Sequence, residues 1–434
     1  MAITAPNQSA VSTSFDTGKS YGAPLATVTT LFFMWGFLTC LNDILVPHLK
    51  SIFDLGYAEV MLIQFAFFGA YFIFSIPSAK IIDWIGYQRS MVVGLLTMGL
   101  GAFLFVPAAS VPSFPLFLGA LIVLAAGITC LQVAANPYVT VLGKPETASS
   151  RLNLTQAFNS LGTFLAPFFG GILILSAAPM TMDQIRALAP DALQAYRLHE
   201  AATVKMPYVG LGIALVLLAV AIGSFKLPKI EHAQHKVGEK VNDSIWRHPN
   251  LIFGAIGIFV YVGAEVAIGS FLVNYFIQPD IGGLTEKMAA SFVAFYWGGA
   301  MVGRFIGSGL LQKMKTGRLL GICAVCAAAL VAISMLTTGH VAMYSIILVG
   351  FFNSIMFPSI FTLGVAELGP LTGDGSGVMI MAIVGGAIIP LAQGWIADRI
   401  GIHHAFFLPV ICYLYILFFA LSGSKPNSER YAKA

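Results

Sequence analysis

Twelve long apolar runs are the feature that most constrains how this chain can fold. A helix that crosses a bilayer needs about 20 mostly apolar residues. Charged residues make up only 10% of the 434-residue chain, whereas soluble proteins carry about 25%. Backbone groups in lipid must pair internally, and runs of this length favour helices over barrel strands. We therefore predict an all-α membrane protein whose segments one to twelve span residues 26–49, 60–82, 90–110, 114–142, 152–176, 206–226, 249–277, 288–311, 318–337, 341–367, 376–398 and 403–423.

The placement of Lys and Arg predicts the orientation of the chain in the membrane. If the N-terminus is cytoplasmic, 17 of the 23 basic residues fall on the cytoplasmic side of these segments and 6 on the other side. Such an excess marks the cytoplasmic face of membrane proteins. It predicts a bacterial inner-membrane protein with both termini in the cytoplasm, and it accounts for the net charge of +4 without a nucleic-acid partner. The polar start of the chain lacks signal-peptide features, so we expect segment one to be retained.

An internal repeat divides the chain into two halves. NPYVTVLG in segment four and FPSIFTLG in segment ten place Pro137 and Pro358 221 positions apart. Pro167 and Pro390, in segments five and eleven, repeat at 223 positions. Parallel repeats of this kind place a substrate site between the halves, near the bilayer midplane. The prediction is two pseudo-symmetric six-helix bundles, comprising a cytoplasmic tail (1–25), an N-terminal bundle (26–226), a cytoplasmic linker (227–248), a C-terminal bundle (249–423) and a cytoplasmic tail (424–434).

Two carboxylates lie well inside predicted segments, Asp43 in segment one and Glu265 in segment seven. A charge at the bilayer centre costs about 2.5–3.5 kcal/mol on insertion scales, so such a group normally faces a cavity. We find no Lys or Arg in the middle of any segment that would neutralise either acid. Both acids are therefore predicted to bind the coupling cation, the substrate or both, and any Na⁺ site is expected near Asp43.

Uncharged amides form a second set of candidates. Gln132 and Asn136 are four residues apart in segment four and so share one helix face. Asn353 occupies the position in segment ten that the repeat equates with Gln132. Amides donate and accept hydrogen bonds, as sugar hydroxyls do, although bonding between helices would give the same pattern. The predicted substrate-binding set is Asp43, Asn42, Gln132, Asn136, Gln156, Asn159, Glu265, Asn274, Tyr296 and Asn353.

Other side chains have simpler interpretations. Cys323 and Cys326 form a CxxC inside an apolar segment, which predicts packing rather than metal or redox chemistry. The histidines at segment ends are interpreted as interfacial, and no cofactor or bound metal other than a coupling ion is expected. The aromatic residues available to stack on a pyranose ring are Trp35, Phe65, Tyr71, Phe158, Tyr261, Tyr296 and Trp297.

Six stretches between about residues 30 and 400 carry a family resemblance: NDILVPHLK, LQVAANPYVTVLG, RLNLTQAFNSLGT, YVGAEVAIGSFL, GRFIGS and FPSIFTLGVAELG. They resemble the fucose permease branch of the major facilitator superfamily, and its glucose/galactose transporter group in particular. The resemblance implies two six-helix bundles, alternating access and cation-coupled uptake of a hexose. It also implies functional roles for Asp43, Asn136 and Gln156.

Two positions depart from the fucose/proton symporters that the sequence resembles. In those proteins a glutamate tied to proton coupling precedes AANP, and here that position is Gln132. Segment seven carries Glu265 where the fucose carriers have an uncharged amide. The departures point away from fucose as substrate, and they leave the coupling ion open between H⁺ and Na⁺.

The leading hypothesis is a cation-coupled symporter that imports a hexose such as glucose, galactose or mannose. The alternatives are a proton symporter for fucose or another sugar or polyol, an uncoupled facilitator, and a carrier for drugs or organic acids, the last of which would favour a buried base. A membrane enzyme or an ATP-driven pump is disfavoured because HExxH, GxSxG and P-loop motifs are absent. A sugar sensor would usually carry a large extra cytoplasmic domain. The expected partners are the sugar and the lipid bilayer, without nucleic acid, and we expect a monomer.

Overall fold

The computed structural model describes residues 22–53, 57–111, 113–173, 184, 187–203, 205–230 and 243–426, without the side chains of residues 39, 41–53, 57–61, 167–173 and 201. The helices are α1 (Gly22–Phe53), α2 (Tyr57–Ser110), α3 (Phe114–Val141), α4 (Ala148–Leu173), α5 (Pro190–Thr203), α6 (Lys205–Ser224), α7 (Pro249–Phe276), α8 (Glu286–Leu310), α9 (Thr316–Leu336), α10 (Gly339–Asn353), α11 (Met356–Gly364), α12 (Thr372–Met381), α13 (Gly385–Ile400), α14 (Ile402–Ala405) and α15 (Phe407–Phe418). A π-helical turn, Phe419–Gly423, continues α15, and short 3₁₀ turns lie at Pro145–Thr147, Ile245–Arg247, Gly369–Leu371 and Ala382–Val384.

The helices follow the predicted segments. Within the described residues, nine helical stretches are long and apolar enough to cross a membrane. One of them, Leu62–Ser110, has 49 residues and so provides for two crossings. Predicted segments two and three are both in α2, where they meet at Gly86 (φ 80°, ψ 168°). That backbone conformation is essentially restricted to glycine, so the predicted loop between these segments reduces to a single non-helical residue.

Matched contacts in the two halves support the repeat seen in the sequence. Gly162 of α4 lies against the carbonyl of Phe33 in α1, and Gly385 of α13 lies against the carbonyl of Phe259 in α7. Neither position has room for a Cβ atom, so this matched helix crossing requires glycine in both halves.

A tyrosine–amide pair is repeated as well. Gln132 Nε2 of α3 donates to Tyr71 Oη of α2 over 2.6 Å, and Asn353 Nδ2 of α10 donates to Tyr296 Oη of α8 over 2.9 Å. Gln132 and Asn353 therefore occupy equivalent positions of the repeat and make equivalent hydrogen bonds to a tyrosine hydroxyl.

The two halves meet at the side that the charge distribution predicts to be cytoplasmic. There the start of α4 packs on the end of α8, and α12 packs on α2. The hydrogen bonds that join the halves there include Ser150 Oγ to Ser308 O (2.7 Å), Asn153 Nδ2 to Arg304 O (2.7 Å), Ser376 Oγ to Val133 O (2.8 Å), Ser149 Oγ with Thr362 Oγ1 (2.6 Å) and Lys80 Nζ to Asp374 Oδ1 (2.7 Å). These bonds hold the predicted cytoplasmic side of the molecule closed.

Outside the membrane segments, the end of the linker is fixed to the start of α7. Asp243 Oδ2 lies 2.7 Å from Nε2 of His248, the residue that precedes α7. Asp243 Oδ1 also accepts from the backbone N–H of Ser244. The hydrogen bond with His248 is the main cause that lowers the pKa of Asp243.

Candidate functional site

A cavity of about 510 Å³ lies between the halves, above the closed side. That volume is within the range of small-molecule sites. The N-terminal half supplies Cys40, Asn159, Ser160, Thr163 and Phe164, and the C-terminal half supplies Glu265, Ala294, Trp297, Gly298, Ala300 and Arg304. The repeat predicted a site between the halves, and the cavity occupies that place.

Glu265 is the carboxylate of this cavity. It stands on α7, where Oε1 accepts a hydrogen bond of 2.8 Å from Tyr261 Oη, one helical turn away. Arg304 lines the same cavity and interacts electrostatically with Glu265. No basic residue in the middle of a segment was expected beside either acid, and for Glu265 that expectation is wrong, because Arg304, six residues before the end of α8 at Leu310, lines the same cavity.

Arg304 also joins the halves beneath the cavity. Its guanidinium donates to Ser160 Oγ and, over 3.5 Å, to the carbonyl of Gln156, both on α4. Within its own half it donates to the carbonyl of Ser354 over 3.3 Å. In return, Asn153 of α4 donates to the Arg304 carbonyl. The charge count places Arg304 among the 17 basic residues of the cytoplasmic side, whereas its side chain lines the cavity between the halves.

A buried network of hydrogen bonds supports Glu265. Tyr413 Oη donates to Asn353 Oδ1 over 2.8 Å, Asn353 Nδ2 donates to Tyr296 Oη, and Tyr296 Oη donates to the Glu265 carbonyl over 3.2 Å. Tyr261 Oη also lies 3.1 Å from the Asn353 carbonyl. Side chains from α7, α8, α10 and α15 thus hold the acid in one orientation, and the predicted ligands Tyr296 and Asn353 act as its support.

The amides of the N-terminal half are buried and incompletely paired. Gln156 Nε2 approaches Asn136 Oδ1 at 3.4 Å. Gln132 Oε1 and Asn136 Nδ2 have no hydrogen-bond partner among the described side chains, although both residues are at most 1% exposed. Buried amide atoms normally find partners. Neither residue is among those that line the cavity, and their role as direct sugar ligands stays a prediction.

Asn159 and Trp297 reach the cavity. Asn159 donates through Nδ2 to the Phe32 carbonyl over 2.9 Å, so part of its polarity serves helix packing. Trp297 is 41% exposed, whereas its neighbour Tyr296 is fully buried. Gly269 of α7 makes room for the indole, since a Cβ there would lie 2.9 Å from Trp297 Cζ2. The sequence identified both aromatic residues as candidates to stack on a sugar, but the rotation of α8 about its axis decides which of them faces the cavity.

Asn274 lies away from the cavity, and the structure does not describe the side chains of two other predicted residues. Asn274 is exposed near the end of α7 and does not line the cavity. It follows Glu265 by nine residues, which places it about 180° around the helix at 3.6 residues per turn. Asn42 and Asp43 lie on α1, but their side chains are outside the described part of the chain, as is the predicted Na⁺ site beside Asp43.

The cavity therefore combines a carboxylate, an amide, two hydroxyls and an exposed indole. Carboxylate and amide oxygens accept hydrogen bonds from hydroxyl groups, amide N–H groups donate to them, and an indole face packs on apolar C–H groups. A neutral polyhydroxylated molecule fits this set. An anionic substrate fits poorly, because the charge of Glu265 offsets that of Arg304.

Comparison with known proteins gives consistent matches over nearly the whole chain. The family model described as Major Facilitator Superfamily matches residues 26–383. A glucose/galactose transporter of Brucella abortus is 53% identical over 425 residues, which cover 98% of this chain and 100% of that protein. An L-fucose-proton symporter of Escherichia coli is 36% identical over 409 residues, 93% of each chain. A crystal structure of the transporter FucP in the outward conformation superposes with a TM-score of 0.86 at 34% identity, over 94% of this chain and 100% of that one.

Proposed function

This chain belongs to the Major Facilitator Superfamily, whose twelve-helix fold of two six-helix bundles it shares, and on that premise we propose that it imports a hexose together with a cation. The observation that carries the proposal is the cavity between the halves, where Glu265, Asn159 and Trp297 meet. Relatives named glucose/galactose transporter support a glucose-type sugar over fucose. The membership and the relatives are those of membrane transporters and not of enzymes.

Glu265 is proposed to bind sugar hydroxyls from the C-terminal half. Its Oε1 is held by Tyr261, its backbone is held by Tyr296, and both oxygens can accept hydrogen bonds. Asn159 and Ser160 face it from the other half across the cavity. A sugar that contacts both sides would draw the halves together, which is the closure that alternating access requires.

Coupling to the cation is proposed to centre on Asp43. Arg304 lines the same cavity as Glu265 and partly offsets its charge there, and Glu265 is assigned to the sugar. Asp43 is the other acid inside a predicted segment, and the residue before AANP is the uncharged Gln132. A proton or Na⁺ on Asp43 would change its charge and so shift the balance between outward and inward states.

The structure fits an outward-facing state under the proposed orientation. The bonds between α4 and α8 and between α2 and α12 close the cytoplasmic side, and they must separate before sugar leaves toward the cytoplasm. We place the chain in a bacterial inner membrane with both termini cytoplasmic. We also propose that it works as a monomer, since the cavity is built entirely within one chain.

Uptake of radiolabelled glucose into proteoliposomes tests the function. We expect accumulation above equilibration when a pH gradient or a Na⁺ gradient is imposed in separate runs, and competition by galactose or mannose but not by fucose. Accumulation driven by one gradient identifies the coupling ion. Equilibration without accumulation under both gradients would refute coupling, and failure of glucose, galactose and mannose alike would refute the hexose assignment.

Glu265→Gln tests the sugar-binding role. The amide keeps the contact with Tyr261 but removes the charge that offers strong hydrogen bonds, each worth about 1.5–3 kcal/mol. We expect the Kd for glucose to rise about 10- to 150-fold, as measured by equilibrium binding. Asn274→Ala is the matched control, because it lies on the opposite face of α7 and should leave the Kd unchanged. An unchanged Kd in Glu265→Gln would exclude this role.

A further inference from the structure

A second cavity of about 920 Å³ opens on the predicted cytoplasmic side, away from the central site. Its walls are the start of α9, the end of α11, the end of α15 with its π-helical turn, and the 3₁₀ turn Pro145–Thr147 of the N-terminal half. The sugar-transport hypothesis makes no use of this cavity.

The lining of the second cavity changes from charged to apolar along α9. At one end stand the basic residues Lys315, Arg318 and Lys425, with the acids Glu146 and Glu367. The other part is an apolar strip on α9 and α15 and in the π-helical turn, made of exposed Ile322, Val325 and Leu421 and half-buried Leu417. A charged end above an apolar strip matches an amphiphile whose head lies at the membrane surface and whose tail lies along the helices.

The charged end favours an anionic head. Three bases outnumber two acids, and α9 begins in the cavity at Thr316 without a side-chain cap at Lys315. The N-terminal end of a 21-residue helix adds partial positive charge at that point. From the basic cluster and the apolar strip together, we propose that this cavity binds an anionic phospholipid of the cytoplasmic leaflet. The assignment rests on the proposed orientation of the chain, but not on the identity of the sugar.

The site also spans the junction between the halves. Ser149 of the N-terminal half lines it, and its Oγ lies 2.6 Å from Thr362 Oγ1 and 3.0 Å from Thr316 Oγ1 of the C-terminal half. These contacts belong to the side that must open for release. A lipid bound across them favours the closed cytoplasmic side, because it binds the two-walled cavity better than the separated walls.

Thermal unfolding of the purified full-length chain in detergent, titrated with phosphatidylglycerol, tests the proposal. Phosphatidylcholine, inorganic phosphate and glycerol 3-phosphate are titrated in parallel. We expect phosphatidylglycerol to raise the Tm. In the charge-neutral variant, Lys315→Gln/Arg318→Gln/Lys425→Gln, glutamines replace the three bases of the cavity. Its apparent affinity for phosphatidylglycerol should be about 10- to 100-fold weaker than that of the native chain. The matched control, Lys226→Gln/Lys229→Gln/Lys313→Gln, removes the same charge from exposed sites outside the cavity and should respond as the native chain does.

Four results would overturn the proposal: no effect of phosphatidylglycerol, an equal effect of phosphatidylcholine, an equal effect of the soluble phosphates, or equal weakening in the control variant. If the charge-neutral variant does not fold, Val325→Trp decides the question. This change fills the apolar strip and leaves the bases in place, so loss of the phosphatidylglycerol response supports the lipid site and a retained response refutes it.

Discussion

The contact between Arg304 and Ser160 makes a quantitative prediction about the resting state. Ser160 Oγ accepts from the guanidinium and donates to the Gln156 carbonyl over 3.2 Å. Ser160→Ala removes the acceptor from the N-terminal half but leaves the charge pair of Arg304 and Glu265 intact. A hydrogen bond from a charged donor contributes about 1.5–3 kcal/mol. Because this bond joins the halves, its loss should shift the population toward the cytoplasm-open state about 10- to 150-fold.

Distances between two spin labels measure this shift. Lys144 and Gln312 are exposed on opposite halves at the predicted cytoplasmic side, and each can be replaced by Cys in a chain whose five native cysteines are changed to Ala. We expect Ser160→Ala to add a population at longer distance. Thr155→Val is the matched control, since the Thr155 hydroxyl donates to Leu152 within α4.

The reasoning fails if Ser160→Ala leaves the distance distribution unchanged, or if Thr155→Val shifts it equally. A double-mutant cycle sharpens the test. Arg304→Lys keeps the positive charge opposite Glu265 but loses the planar fork of donors. If the two side chains act through one contact, the combined change should be smaller than the sum of the separate shifts, whereas full additivity would show that they act independently.

Two further predictions concern contacts at the cavity and at the closed side. Gly269→Ala should push the Trp297 indole out of place and weaken glucose binding about 2- to 12-fold, the effect of losing an aromatic contact of about 0.5–1.5 kcal/mol. Gly210→Ala, which has open space around it, should leave the Kd unchanged, and an equal change in both variants would contradict the assignment. Asp374→Asn removes the partner that Lys80 has in the opposite half and leaves Asp83 in place; the pair is partly exposed and worth at most about 1 kcal/mol, so the spin-label distances should shift toward opening by no more than about fivefold. That shift should shrink at high ionic strength, and a shift independent of salt would argue against an ionic contact.

The sequence predicted the membrane segments well because apolar length alone identifies them. Segment seven, expected at 249–277, is α7 (Pro249–Phe276), and segment eight, expected at 288–311, is α8 (Glu286–Leu310). The repeat could also be read from the sequence, and Gly162 and Gly385, which are 223 positions apart, occupy matched helix crossings. The domain boundaries stay predictions.

The site was harder to predict because it depends on how each helix is rotated. Trp297 and Tyr296 are adjacent, yet one faces the cavity and the other packs in the bundle. Arg304 fell inside the predicted span of segment eight, but a base near a helix end normally reaches for the membrane surface. The position of Asn274 relative to Glu265 follows from the sequence alone, since nine residues along one helix lead to its opposite face. Contacts between distant helices, such as Arg304 with Ser160, leave no periodic signal in the sequence.

The repeated tyrosine–amide pair shows how a duplicated unit can diverge. In the C-terminal copy, Asn353 is hydrogen-bonded on both sides, by Tyr296 and Tyr413, and Tyr296 in turn donates to the Glu265 carbonyl. In the N-terminal copy, Gln132 is held by Tyr71 on one side, and its oxygen lacks a partner among the described residues. The amide of the C-terminal copy is thus hydrogen-bonded through both its oxygen and its nitrogen, whereas the amide oxygen of the N-terminal copy is unpaired among the described residues. Sequence changes that alter the substrate of related carriers should therefore accumulate in the N-terminal copy. A new side chain there can hydrogen-bond to the unpaired amide oxygen, whereas a change in the C-terminal copy would break existing hydrogen bonds.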